Sequence, residues 1–125
     1  MEDLKGSYAY LDIWATWRGP CIREIPYFKD LEKKYKDSNI QFVSISIDPI
    51  DDLNKWKNFV SKKNLGGIQL YAEGDWKSSI ITDYAIEGIP RFILIDPEGN
   101  IVSADAMRPS DPKLVALLDE LIQAH

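Results

Sequence analysis

The chain has 125 residues, 45% of them apolar and 28% charged, the balance of a single soluble globular domain large enough for a core of its own. A formal net charge of -5 argues against nucleic acid or an anionic membrane as partner, because phosphate binding needs clustered basic surface. No apolar run approaches the roughly 18 residues of a membrane span and no signal peptide is visible; the single cysteine leaves the redox compartment open.

Residues 8–15 are almost all apolar or aromatic, as in a strand covered on both faces. Asp12 interrupts this run between Leu11 and Ile13. It is either a buried acid, costly unless protonated or paired, or a wet residue at the strand's edge. Gly19-Pro20 ends the strand pattern, and Pro suits a first helical turn, where its missing N–H costs nothing. Residues 19–36 then read as a helix with Ile22, Ile25, Phe28, Leu31, Glu32 and Tyr35 along one stripe. Pro26 lies inside it, where a proline bends a helix. Lys33, Lys34 and Lys36 close it as a solvated basic end.

Residues 41–48 form a β-rich second strand, ended by Asp48-Pro49. Asp51 or Asp52 is placed to cap a helix over residues 51–64, with Leu53, Trp56, Phe59 and Val60 inward and Gly66-Gly67 as its stop. This strand-helix alternation implies a parallel βαβ pair. A short strand at 68–71 and a short helix at 78–84 follow, with Trp76 and Tyr84 read as packing residues. Gly88-Ile89-Pro90 precedes an apolar strand at 92–95, and its X-Pro bond is either a retained cis bond or an ordinary trans entry to the strand. Asp96-Pro97-Glu98-Gly99-Asn100 is a hairpin turn leading to a strand at 101–104. Ser110 or Asp111 caps a last helix, Pro112–Ala124, with Leu114, Leu117, Leu118, Leu121 and Ile122 as its buried stripe. His125 is read as a solvated terminal residue. One cysteine and a terminal histidine cannot close a metal shell, so neither metal nor cofactor is expected.

The run Trp14-Ala15-Thr16-Trp17-Arg18-Gly19-Pro20-Cys21 resembles the active-site segment of the thioredoxin superfamily, and more closely that of the TlpA/ResA-like thiol-disulfide oxidoreductases, Trp-Ala-x-Trp-Cys-x-x-Cys. Every position matches but one: Arg18 stands where the family has its exposed first cysteine. The resemblance covers nearly the whole chain. It implies an α/β thioredoxin fold, a central mixed sheet with a parallel βαβ half and an antiparallel hairpin half, helices on both faces and a TlpA/peroxiredoxin-type insertion. Leu4 to Ser7 then matches the turn before the core strand, and Pro26 a family helix proline. The family usually carries an N-terminal hairpin and a signal or anchor, so residues 1–125 are expected to be one domain excised from a longer chain, extracytoplasmic and monomeric.

By the same resemblance Cys21 is the buried resolving cysteine. Asp12, six places before Arg18, matches a buried acid that relays protons to it. Ile89 and Pro90 match the cis-proline loop, where the residue before proline offers its backbone to an extended substrate. Three readings follow. The first is a redox-deficient module binding a protein or peptide, with Arg18, Arg91 and Arg108 as an arginine rim suited to an acidic or carboxylate feature. The second is monothiol exchange through Cys21 with an external thiol. The third is an active enzyme of this family carrying a Cys-to-Arg substitution. A peroxiredoxin is disfavoured, because its peroxidatic cysteine has no counterpart here.

Overall fold

A computed structural model describes residues 6–124, except for the side chains of Asp75, Trp76 and Ala124. The readings of Leu4, Lys5, Trp76 as a packing residue and His125 lie outside what is described. Five strands form one sheet in the order β3-β2-β1-β4-β5: β1 Tyr8–Trp14, β2 Ile40–Ser46, β3 Ile68–Tyr71, β4 Arg91–Ile95 and β5 Ile101–Ser103. The helices are α1 Gly19–Lys34, α2 Leu53–Lys62, α3 Gly74–Asp83 and α4 Pro112–Ala124. β1 pairs in parallel with β2 and antiparallel with β4, so the central strand joins the two halves of the sheet.

Every residue of β1 is buried. Because side chains alternate across a strand, Tyr8 and Tyr10 join Phe42, Phe92 and Leu94 beneath Phe28 and Leu31 of α1 and Leu114 and Leu118 of α4. Ala9, Leu11 and Ile13 join Val43, Ile45, Ile93 and Ile95 on the opposite face, which Ile80 of α3 covers. The tyrosines reach the far elements by their hydroxyls: Tyr10 donates to Met107 O at 2.6 Å and Tyr35 to Asp119 Oδ1 at 2.7 Å. These bonds let large aromatics be buried without stranding a polar tip.

Several details differ from the expectations. The helix expected over 51–64 begins as a 3₁₀ turn at Ile50–Asp52, and neither Asp51 nor Asp52 caps it through its side chain. Asp111 caps α4, accepting from Lys113 N at 2.9 Å, whereas Ser110 turns to another partner described below. The buried positions of α1 are Cys21, Glu24, Phe28 and Leu31, with Ile22 and Ile25 only half-buried. α1 is therefore rotated relative to the apolar stripe, and a carboxylate takes an inward place. Gly67, at φ +68°, lies so close to Phe42 O and Glu32 Oε2 that a Cβ would come within 2.9 Å of each, which explains the glycine.

Candidate functional site

The site sits where β1 runs into α1. After Trp14 the chain turns at Ala15 to Arg18, with Arg18 N donating to Ala15 O at 3.3 Å and Cys21 N to Arg18 O at 3.0 Å. Arg18 is the N-cap residue, extended at φ -97° and ψ 111°, and its side chain does not cap the helix. Pro20 occupies the first turn, as its fixed φ favours. Trp17 is 57% exposed and Gly19 is exposed, while Trp14 is buried with Cys21 and Trp56 in one cluster.

This turn is pinned by a carboxylate whose place in the sequence, before Pro49, marks only the end of a strand. Asp48 is fully buried. It accepts hydrogen bonds from Thr16 N at 3.1 Å and Thr16 Oγ1 at 2.8 Å, and a short one from Ser46 Oγ. Tyr71 Oη donates to the Asp48 carbonyl at 2.7 Å. Charge-assisted bonds of this kind are about twice as strong as neutral ones, so Asp48 holds the turn against the end of β2.

Glu24 is the second missed residue. Its carboxylate accepts from Ser110 N at 3.0 Å and Ser110 Oγ at 2.9 Å, tying the loop before α4 to α1. A signal was present. Glu24 falls in line with Cys21, Phe28 and Leu31 at helical spacing, and a charge on an inward stripe asks for a partner.

Asp12 is the contrasting acid. It is buried, its Oδ1 has no hydrogen-bond partner among the described residues, and burial, with a smaller push from Glu24, raises its pKa to about 8. A cavity of about 10 Å³ borders it, lined also by Trp14, Ser44, Glu32 and Gln69; that is about the volume one water needs. Cys21 is 3% exposed. Burial is the main cause that pushes its thiol up to about 11; a backbone hydrogen bond with Ala15 and the Arg18 charge oppose this, and Asp12 and Asp48 add to it. At neutral pH Cys21 is therefore a protonated, shielded thiol.

The Ile89–Pro90 peptide bond is cis. Ile89 packs on the cluster of Trp14 and Cys21, and Arg18 Nε donates to Ile89 O at 3.1 Å. The turn before α1 and the proline loop thus meet directly. Beside them lies an open groove of about 340 Å³, floored by Ile47, Ile81, Ile86 and Ile89 and edged by Trp17, Arg18 and Glu87.

The arginine rim is not assembled. Arg91 opens β4 and its guanidinium is consumed within the fold: it donates to Ala104 O at 3.1 Å and Tyr84 O at 3.5 Å and pairs with Asp105 at 3.7 Å. A side chain so held is 18% exposed and does not line the groove. Arg108 is exposed but does not line the groove. Arg18 alone of the three does so, because it sits on the turn and the other two are carried by β4 and the loop before α4.

A central strand leading into a helix whose mouth faces a cis-proline loop, on a mixed five-stranded sheet, defines the thioredoxin class of α/β proteins. The family model described as thioredoxin-like matches residues 6–101. The chain belongs to this thioredoxin-like family. It is 34% identical over 102 residues to the thiol-disulfide oxidoreductase ResA of Bacillus anthracis, an alignment covering 82% of this chain and 56% of that protein. The chain thus spans little more than half the length of the curated relatives it matches. Among solved structures it resembles a candidate thiol-disulfide oxidoreductase from Bacteroides vulgatus, at 48% identity and a TM-score of 0.84, covering 99% of this chain and 79% of that one. It also resembles a thiol-disulfide oxidoreductase from Bacteroides fragilis, at 30% identity and a TM-score of 0.81, covering 97% and 85%.

Proposed function

We propose that this domain is a thioredoxin-like module without dithiol catalysis that binds a peptide or partner protein in the groove beside Ile89 and Pro90. The observation that carries the reading is at the helix mouth. The exposed position there holds the Arg18 guanidinium, and the chain's one thiol, Cys21, is buried. Thiol-disulfide exchange needs an accessible thiolate and a second thiol to resolve the mixed disulfide; a guanidinium cannot attack sulfur. The groove needs no thiol. Its isoleucine floor and exposed Trp17 suit an apolar side chain of a ligand. Kinship with ResA supports an extracytoplasmic setting. Monothiol exchange through Cys21 is the weaker reading, since the sulfur is 3% exposed.

The test is insulin reduction with dithiothreitol at catalytic protein concentration. The expected result is a rate no greater than the dithiothreitol background; turnover like that of a two-cysteine thioredoxin overturns the reading. Arg18→Cys is expected to form a disulfide with Cys21 on oxidation, so that denaturing thiol titration finds none free. Two free thiols would mean that the turn lacks the geometry the proposal assumes.

A further inference from the structure

Arg18 does two things at once in this fold, and together they narrow what the groove takes. Its Nε–H is spent on Ile89 O at 3.1 Å. A guanidinium carries five N–H donors, so four remain on the two terminal nitrogens. Among the described residues no carboxylate pairs with it, and the side chain is exposed at the groove's edge. The Nε contact fixes the plane of the guanidinium and leaves its outer fork free for a bidentate anion.

The same contact disfavours one mode of peptide binding. A strand that adds to a loop edge relies on main-chain acceptors such as Ile89 O, and a lone pair of that oxygen is already engaged by Arg18. A peptide running straight through the groove shares that oxygen with the arginine, which leaves it one lone pair, whereas a peptide that ends there need not use it.

The charge and the apolar floor are also close. Arg18 bonds the backbone of Ile89, and Ile89, Ile47 and Ile86 line the floor. One residue that supplies both an aliphatic side chain and an anion within its own span fits this closeness. An internal acidic residue next to an aliphatic one fails, because neighbouring side chains of an extended segment point to opposite faces, and one two positions away lies about 7 Å along the strand. A C-terminal residue succeeds, since its α-carboxylate and its side chain leave the same Cα.

We infer that the groove recognises the C-terminus of a peptide ending in an aliphatic residue, with the α-carboxylate on the free fork of Arg18 and the side chain on the isoleucine floor. This rests on the peptide-binding reading above and names the ligand class for that site.

The experiment uses three labelled probes: acetyl-Ser-Gly-Ser-Gly-Val-Ile with a free carboxylate, its C-terminal amide, and the same six residues extended by Gly-Ser-Gly-amide. Affinities are read by fluorescence anisotropy, with the isoleucine methyl resonances of the protein followed by NMR. The free acid is expected to bind at least about tenfold tighter than the amide or the extended peptide. Arg18→Gln is expected to erase that preference and Arg108→Gln to leave it intact. Equal binding of acid and amide overturns the inference, as does a preference that survives Arg18→Gln. If the extended peptide binds as well as the acid, the groove still takes peptide and only the terminal mode is lost. If no probe binds and the Ile47 and Ile86 methyls do not move, both readings fall. Arg18 is exposed, and circular dichroism of each variant guards against a folding artefact.

Discussion

Asp12 and Asp48 are both buried carboxylates near the helix mouth, and they are opposites. Asp48 is enclosed by donors from Thr16 and Ser46. Asp12 has an oxygen with no partner among the described residues and a pKa raised to about 8 by burial and Glu24. Similar depth therefore produces a hydrogen-bonded anchor in one place and an acid with an unpartnered oxygen in the other. What differs is the supply of N–H and O–H groups, not the extent of burial.

The sharpest way to break this contrast is Asp48→Ala. It strands three donors on Thr16 and Ser46, and the expected loss is about 4 kcal/mol in urea unfolding. A loss below about 1 kcal/mol would mean that the turn is held by something else.

Asp12→Asn should act in the other direction. The unfolded carboxyl titrates near 3.8 and the folded one near 8, so between these values the native state holds the extra proton. Stability then falls as pH rises through that window and levels off above it. The asparagine variant should lack this decline and be more stable than the parent at pH 8 by on the order of 3 kcal/mol. Parallel stability profiles of parent and variant from pH 4 to 8 would contradict the assignment.

Glu24→Gln is smaller and bears on the Asp12 side of the comparison. The variant keeps an acceptor for Ser110 but loses the charge-assisted strength, for an expected cost of about 1 kcal/mol. It also removes the charge that helps raise Asp12, so the Asp12 carboxyl signal should titrate at lower pH in carbon-detected NMR. An unmoved Asp12 titration would show that burial acts alone.

The smallest effect is expected for Thr16→Val. It removes one Oγ1 bond to Asp48 while the Thr16 amide still donates, for a loss of about 1 kcal/mol or less by chemical denaturation. A cost equal to that of Asp48→Ala would place the whole anchor on this one hydroxyl.

Much of the architecture was legible in the residues because it is written in local patterns. The apolar run of β1, Pro20 at the helix start, and the turn with Gly99 at φ +89° each depend on neighbours a few positions away. The placement of the candidate site was legible in part. The strand-turn-helix passage could be seen, whereas the roles of Asp48 and Glu24 could not. Asp48 before Pro49 looks like turn chemistry, yet it meets Thr16 across 32 positions; Glu24 meets Ser110 across 86. The arginine rim failed for the same reason. Arg91 faces Tyr84, Ala104 and Asp105, and no spacing rule announces that those two carbonyls and a carboxylate would claim it.

By itself the order of residues determined the secondary elements, the single thiol and the arginine at the helix mouth, since period, turn residues and composition are properties of short stretches. Which polar groups found partners was decided only in three dimensions. Folding brought donors to Asp48 and Glu24, left an oxygen of Asp12 without one, and laid Arg18 on the carbonyl of Ile89. Hydrogen bonds act over about 3 Å, and the groups that made or missed them lie tens of residues apart along the chain.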